Sequence, residues 1–279
     1  MTGVEAGTGT APTAAALSLA AVTKRFGGVL ALDDLSFDIE PQTVFGIIGP
    51  NGAGKTTLLN VISGFGVADS GSVTVFGERL AGGSPREAAR AGIARTYQNV
   101  RLFAGLTVVE NIIAGMYLRR RRGAWAALRF SPAERRDRRE CLERAHALMR
   151  RAGLADDLAE RPAEMLSYGD QRRCELARAL ATDPRVLLLD EPTAGMNAAE
   201  SRAMGDLVLR LREEGITVVL VEHNMEMVLR YCRAAVVVNF GKLLAAGPPV
   251  ECLQRDDVRE AYFGKRNDAE RVRTLLGLR

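Results

Sequence analysis

Hydrophobic positions in this chain fall into two kinds of run, and the spacing inside each predicts the element it builds. Short β-rich stretches at 17–22 and 35–39 lead to the unbroken apolar run Val44–Ile48, which ends in Gly49. An apolar run of that length, closed by a glycine, predicts a strand covered on both faces that enters a turn. Leu58, Leu59 and Ile62 then recur at helical spacing, with Gly64 near the end of the run. Strand, glycine loop and helix therefore follow one another directly. Two further strands, SVTVFG and ARTYQ, read as a pair.

Between 102 and 173 the period changes to that of helices. TVVENIIAGMYL opens with Thr107 and Glu110 at capping-box spacing, and a long charged helical segment covers 131–154. This part reads as an inserted helical lobe. Strand character returns in RVLLLDE and ITVVLVEH, separated by a helical stretch at 198–213, and strands alternating with helices predict a parallel sheet. Residues 234–239 and 242–246 predict a closing hairpin around Phe240 and Gly241, followed by a charged helical tail.

Composition changes this picture little. With 47% hydrophobic and 26% charged residues the 279-residue chain has ordinary globular composition, and a net charge of +4 does not call for nucleic acid as a partner. Cys141, Cys174, Cys232 and Cys252 are scattered, without a C-x-x-C pair, which argues against a disulfide framework and for a reducing cytoplasm. Residues 1–14, rich in small residues, read as a loose tail without the features of a secretory signal, and residues 265–279 as a charged tail. No stretch approaches the roughly 18 uninterrupted apolar residues of a membrane span, so any membrane role is expected to be peripheral.

The chemistry is concentrated in three motifs. Gly49, Pro50, Asn51, Gly52, Ala53, Gly54, Lys55 and Thr56 form a P-loop in the context that gives the motif meaning, after a strand and before a helix. Glycines let backbone N–H groups wrap phosphates, Lys55 supplies a point charge, and the Thr56 hydroxyl suits magnesium. The apolar strand 186–189 ends in Asp190 and Glu191, adjacent carboxylates that would be costly to bury unless delivered to a polar site. Asp190 is expected to hold the metal and Glu191 to polarise water. Ser167 and Asp170, at capping-box spacing within LSYGDQ, open the helix that carries 174–180.

Taken together and in order, these motifs resemble the ATP-binding subunits of the ABC family, whose signature is Leu-Ser-Gly-Gly-Gln. The resemblance implies an α/β P-loop core with a mainly parallel sheet, an antiparallel N-terminal β subdomain and a helical lobe at about 102–175, all within one ATPase domain at 15–264. It implies ATP and Mg2+ as cofactors and ATP hydrolysis coupled to transport. Phe26 resembles the aromatic residue that stacks on adenine, and Thr57 extends the P-loop. Gln98 resembles the glutamine that touches magnesium and the attacking water, Asn197 stands in the D-loop AGMN, and His223 resembles the switch histidine. Ser167, Tyr168, Gly169 and Asp170 are the residues that would face the nucleotide of a second ATP-binding subunit, identical or homologous. Two positions depart from the pattern: Asp170 replaces the signature glutamine, placing a carboxylate near the trans phosphate, and Asn197 replaces the commoner aspartate.

The stretches GIARTYQNVRLFAGLTVVENIIAGM, LSYGDQRRCELARAL and DDVREAYFG are similar to the ATPase subunits of branched-chain amino-acid importers. That branch implies transmembrane permease partners, an indirect link to a periplasmic or lipid-anchored solute-binding protein, and a place on the cytoplasmic face of a bacterial membrane. A urea or amide importer, an exporter and a soluble clamp acting on ribosomes or DNA are the competing readings, and the stretch 97–116 favours import. The basic cluster 119–122 with Trp125 and Arg129 reads as a solvated helix or as a contact to anionic lipid, and His146 as a surface residue.

Overall fold

The computed structural model describes residues 14–116 and 132–263. The basic cluster 119–122 with Trp125 and Arg129, most of the N-terminal tail and the tail 265–279 lie outside the described residues.

β1 (Leu17–Phe26) and β2 (Val29–Ile39) form a long antiparallel hairpin, joined on the far side of β1 by β4 (Ser70–Val75) and then β5 (Glu78–Arg79). Both hairpin strands run well beyond the apolar stretches that announce them. Register shifts between Leu19 and Arg25 let polar residues enter the ladder without keeping a strict two-residue alternation.

The second sheet is read most easily from its central strands. In β3 (Val44–Ile48), Phe45 and Ile47 point into one core cluster while Val44 and Ile48 join another. The same alternation divides Val186 and Leu188 from Leu187 and Leu189 in β7 (Val186–Asp190), and Val219 and Val221 from Val218 and Leu220 in β8 (Thr217–Val221). Each strand is covered on both faces, which is why its sequence is continuously apolar. With β6 (Ile93–Arg95), β9 (Ala234–Asn239) and β10 (Lys242–Gly247) these strands form a six-stranded sheet in the order β10, β9, β3, β8, β7, β6, parallel except for the closing hairpin. SVTVFG and ARTYQ therefore do not pair with each other: β4 lies beside β1, and β6 runs parallel to β7. Periodicity identifies a strand but carries no address for its partner.

One face of this sheet receives α1 (Lys55–Ile62), whose Leu58, Leu59 and Ile62 pack with the antiparallel sheet into a single apolar cluster. α2 (Pro85–Arg90) lies beside β6. The other face receives the helices. α3 (Val108–Gly115), α4 (Pro132–Arg151) and α5 (Tyr168–Leu180) pack on one another through Ile112, Met149 and Leu180, each fully buried and each contributing about 1.5–3 kcal/mol. The Thr107 capping box starts α3 as its spacing requires, with both reciprocal hydrogen bonds present. α6 (Ala198–Glu213) and α7 (Met225–Tyr231) cover the remaining strands and approach so closely that a Cβ at Gly205 would sit 2.2 Å from the Tyr231 ring. α8 (Pro249–Gln254) and α9 (Asp256–Phe263) end the described chain. His146 on α4 is half-buried rather than fully exposed, 3.6 Å from Asp156.

Candidate functional site

β3 delivers the chain to Gly49, and the residues up to Gly54 loop back over the end of the strand before α1 begins. Gly54 is the N-cap of α1 with φ of 104°, a conformation open to glycine, and a Cβ there would meet the Ala31 carbonyl oxygen at 2.4 Å. It has no side chain to cap the helix, so the first-turn N–H groups of α1 are left for a ligand. Lys55 folds into the loop, only 8% exposed, and its Nζ donates to the carbonyls of Gly49 at 2.6 Å and Pro50 at 3.0 Å. Burial pulls the Lys55 pKa below its ordinary value, opposed by the carboxylates of Glu191 and Asp190.

A cavity of about 540 Å³ opens over this loop. Asn51, Gly52, Ala53, Gly54, Lys55, Thr56 and Thr57 line it together with Gln98, Asp190 and Glu191, and Val29, Leu30, Ala31, Val221 and Phe240 complete the wall. Two motifs more than 130 positions apart thus meet because β3 and β7 both flank β8 and end on the same edge. At that edge the chain turns sharply. Glu191 has φ of 48° and donates its N–H to the Val221 carbonyl at 2.8 Å, so its side chain leaves the strand direction that Asp190 keeps.

The two carboxylates have different neighbours. Asp190 is buried, with one oxygen 2.9 Å from the Arg95 guanidinium, which also donates to Asn60 at 2.7 Å and Ser63 at 3.2 Å. Glu191 accepts from the Gln98 amide at 2.8 Å, and His223 Nδ1 lies 3.5 Å from the same oxygen. Gln98 and His223 therefore converge on a single Glu191 oxygen beside the cavity.

Other residues singled out in the sequence lie elsewhere. Phe26, 58% exposed at the end of β1, has the Lys24 ammonium 5.4 Å from its ring centroid and pairs across the ladder with Val29, the residue that lines the cavity. Ser167, Tyr168, Gly169 and Asp170 form the N-terminus of α5, and Asn197 caps α6 with a full capping box through Glu200. Those two helix starts are neighbours, since a Cβ at Gly195 would meet the Tyr168 ring at 3.2 Å, but neither lines the cavity. Asp170 completes only half of its predicted capping box. Its N–H donates to the Ser167 hydroxyl at 3.2 Å, while its carboxylate accepts from that hydroxyl at 2.8 Å instead of reaching the N-cap backbone. Arg173 lies 3.8 Å from its other oxygen, so this charge is satisfied within its own helix.

Several residues at the site escape sequence reasoning. Glu222, fully buried, accepts from the Thr193 hydroxyl at 2.6 Å and its N–H at 3.2 Å, fastening the loop after β7 to the residue before His223. Arg95 carried a signal, a cation at the end of a short apolar strand. Phe240 is 82% exposed with φ of 47°, an unfavourable conformation for an aromatic residue, yet it reads in the sequence as a mere hairpin position.

A glycine loop between strand and helix, with a buried lysine and two carboxylates brought in by the next strand but one, defines a P-loop nucleotide-binding cassette. The chain belongs to the ABC transporter family, whose sequence profile matches residues 32–194. It is 39% identical over 250 residues, 89% of this chain and 98% of the relative, to the high-affinity branched-chain amino acid transport ATP-binding protein LivG of Escherichia coli (strain K12). In structure it is similar to the ADP conformation of the ABC transporter cassette MJ1267, with TM-score 0.78, 31% identity, and coverage of 90% of this chain and 99% of that one. It is also similar to the dimeric post-hydrolysis state of the cassette MJ0796 bound to ADP and Pi, with TM-score 0.72, 25% identity, and coverage of 84% and 98%.

Proposed function

We propose that this chain is the ATPase of a branched-chain amino-acid importer, and that residues 15–264 act as one unit that binds and hydrolyses Mg-ATP. The convergence of Gln98 and His223 on Glu191, beside a P-loop cavity, is the observation that carries the catalytic part. The LivG likeness across nearly the whole chain supports the importer part.

The residues present suit the ligands. The uncapped start of α1, the loop amides and the Lys55 ammonium offer donors to phosphate. Thr56, Asp190 and Gln98 offer hard oxygens that suit magnesium. Among the described residues no group of three His, Cys, Asp or Glu side chains is placed to hold a metal ion. A magnesium ion held at Thr56, Asp190 and Gln98 would supply neutralisation of the phosphate charge.

The chain does the rest. Lys55 holds the phosphates, Glu191 orients the attacking water and takes its proton as the γ-phosphoryl passes to the water oxygen, and ADP leaves. Gln98 and His223 fix the reacting carboxylate, and His223 stabilises the developing charge. The helix start of α5 with Ser167, Tyr168, Gly169 and Asp170, and the neighbouring Asn197, serve the nucleotide of a second ATP-binding subunit, a reading that the MJ0796 dimer supports.

Phe26 stacks on adenine in this reading, and the exposed apolar residues Val29 and Phe240 complete the rim on which base and ribose rest. Phe240→Ala is expected to weaken ATP binding about 5- to 50-fold, in line with the loss of one aromatic contact, and to leave inorganic tripolyphosphate binding unchanged. Equal losses for both ligands in competition titrations would remove Phe240 from the base site.

In this reading permease partners hold the subunit at the cytoplasmic face; among the described residues no helix is long and apolar enough to cross a membrane. Affinity purification of the tagged chain from detergent-solubilised native membranes, followed by mass spectrometry, tests this. Multi-spanning permeases with an ATP-binding subunit are the expected result, and leucine, isoleucine and valine uptake is then assayed for that system. Recovery only from the soluble fraction, with ribosomal or DNA-associated proteins, overturns the importer reading.

A further inference from the structure

Two buried, charged side chains on one turn of α5 grip the loop that carries Gln98, and the catalytic scheme uses neither of them. Arg172, 3% exposed, sends its guanidinium to the carbonyls of both Tyr97 and Gln98 and, at 2.8 Å, to the Tyr168 hydroxyl. Glu175, 2% exposed and three residues along, accepts the N–H of Tyr97 at 3.4 Å and of Arg101 at 3.3 Å through one oxygen. Its other oxygen lies 3.6 Å from the Arg172 guanidinium. Four backbone groups of residues 97–101 thus end on a single helical turn.

Such a pair is an expensive way to attach a helix to a sheet. Two desolvated charges seldom stabilise a fold better than apolar residues of similar volume would. Here the accounts are not even closed, because Arg172 Nε and the second Glu175 oxygen have no hydrogen-bond partner. Burial also pushes the Glu175 carboxyl above the usual carboxylate range, against the pull of Arg172 and the two loop amides. What the pair provides, and an apolar contact would not, is directional hold on the backbone of one loop.

We propose that Arg172 and Glu175 are positioning residues for hydrolysis: they fix the loop 97–101 so that the Gln98 amide reaches Glu191, and through Tyr168 they tie that loop to the signature end of α5. The inference rests on the roles given above to Gln98 and Glu191. A shift of Gln98 then travels through one guanidinium to the helix start that carries Ser167 and Gly169. The chain's own nucleotide site and the surface it offers to a second subunit become mechanically one piece.

A double-mutant cycle on the full-length protein tests this. Arg172→Lys keeps the charge but loses the planar fork that spans two carbonyls and a hydroxyl. It is expected to lower ATP turnover about 10- to 100-fold, the scale of a displaced catalytic contact, with ADP affinity within about twofold of wild type. Gln98→Ala alone reports on the role of Gln98, and the double variant reports on the coupling. Turnover in Arg172→Lys/Gln98→Ala no lower than in Gln98→Ala supports the proposal, whereas losses that multiply overturn it. Retained turnover in Gln98→Ala would strike instead at the catalytic reading. Glu175→Met, which removes the oxygen that accepts both loop amides, gives a second readout without activity. In nucleotide-free protein, amide hydrogen exchange of the segment 97–101 should accelerate while the strands keep their protection, and an unchanged rate there overturns the proposal even if Arg172→Lys fails to fold.

Discussion

Glu191→Gln is expected to bind ATP as tightly as the wild-type chain and to lose about 10²- to 10⁴-fold in turnover, the range for removal of a positioned general base. The substitution is close to isosteric. The Gln98 amide that donates to Glu191 at 2.8 Å can donate as well to a glutamine carbonyl, so the loop has no cause to move. The backbone turn at φ of 48° is set by the N–H bond to Val221, which the substitution does not touch. What changes is proton affinity and charge. A carboxamide cannot take a proton from water, and one negative charge disappears from beside the phosphate site. Phosphate release under saturating Mg-ATP, paired with nucleotide titration, separates the two effects. Turnover within tenfold of wild type would remove Glu191 from the role of base.

Lys55→Met should do the opposite, losing the nucleotide before chemistry is reached. The Lys55 ammonium is buried in a loop of carbonyls, and a desolvated charge–charge contact of this kind is worth about 2–5 kcal/mol, or about 30-fold or more in affinity. Titration with ADP measures it directly, and an affinity within threefold of wild type would contradict the phosphate-binding role. The same residue leaves a mark on stability. Because burial lowers its pKa, the unfolded chain binds more protons than the folded one between the lowered value and the ordinary 10.5. Lys55 therefore contributes a rise in stability with increasing pH across that window. Urea midpoints measured upward from pH 8 should show a slope in wild type that is smaller in Lys55→Met.

The order of strands and helices, and the three motifs, are legible because each depends on residues close in sequence. A continuous apolar run becomes a strand covered on both faces, and a glycine loop after it becomes a phosphate cradle, whatever the rest of the chain does. Partner choice is not local. SVTVFG and ARTYQ have similar patterns and belong to different sheets, because one is captured by the N-terminal hairpin and the other by the crossover to β7. The same limit hides the supports of the site. Arg172 and Glu175 look like ordinary charges on a helix until α5 is laid against the loop 97–101. Glu222 looks like the end of a strand until Thr193 arrives above it from the loop after β7. Asp170 shows the reverse case, a charge whose neighbours in sequence decide its state. Ser167 and Arg173 engage its carboxylate, so it is not left bare toward an incoming phosphate.

The cavity over the P-loop and the helix start of α5 are separate surfaces of this chain, and in a two-chain reading each copy completes its neighbour. That arrangement has a genetic consequence. An allele that loses Lys55 yields a copy unable to take up nucleotide, yet its α5 can still serve a partner. An allele that loses only the Glu191 carboxylate would hold its partner closed around unspent ATP. Co-expressed with an intact gene, the second lesion should therefore be the more dominant, although it removes less of the protein's binding chemistry.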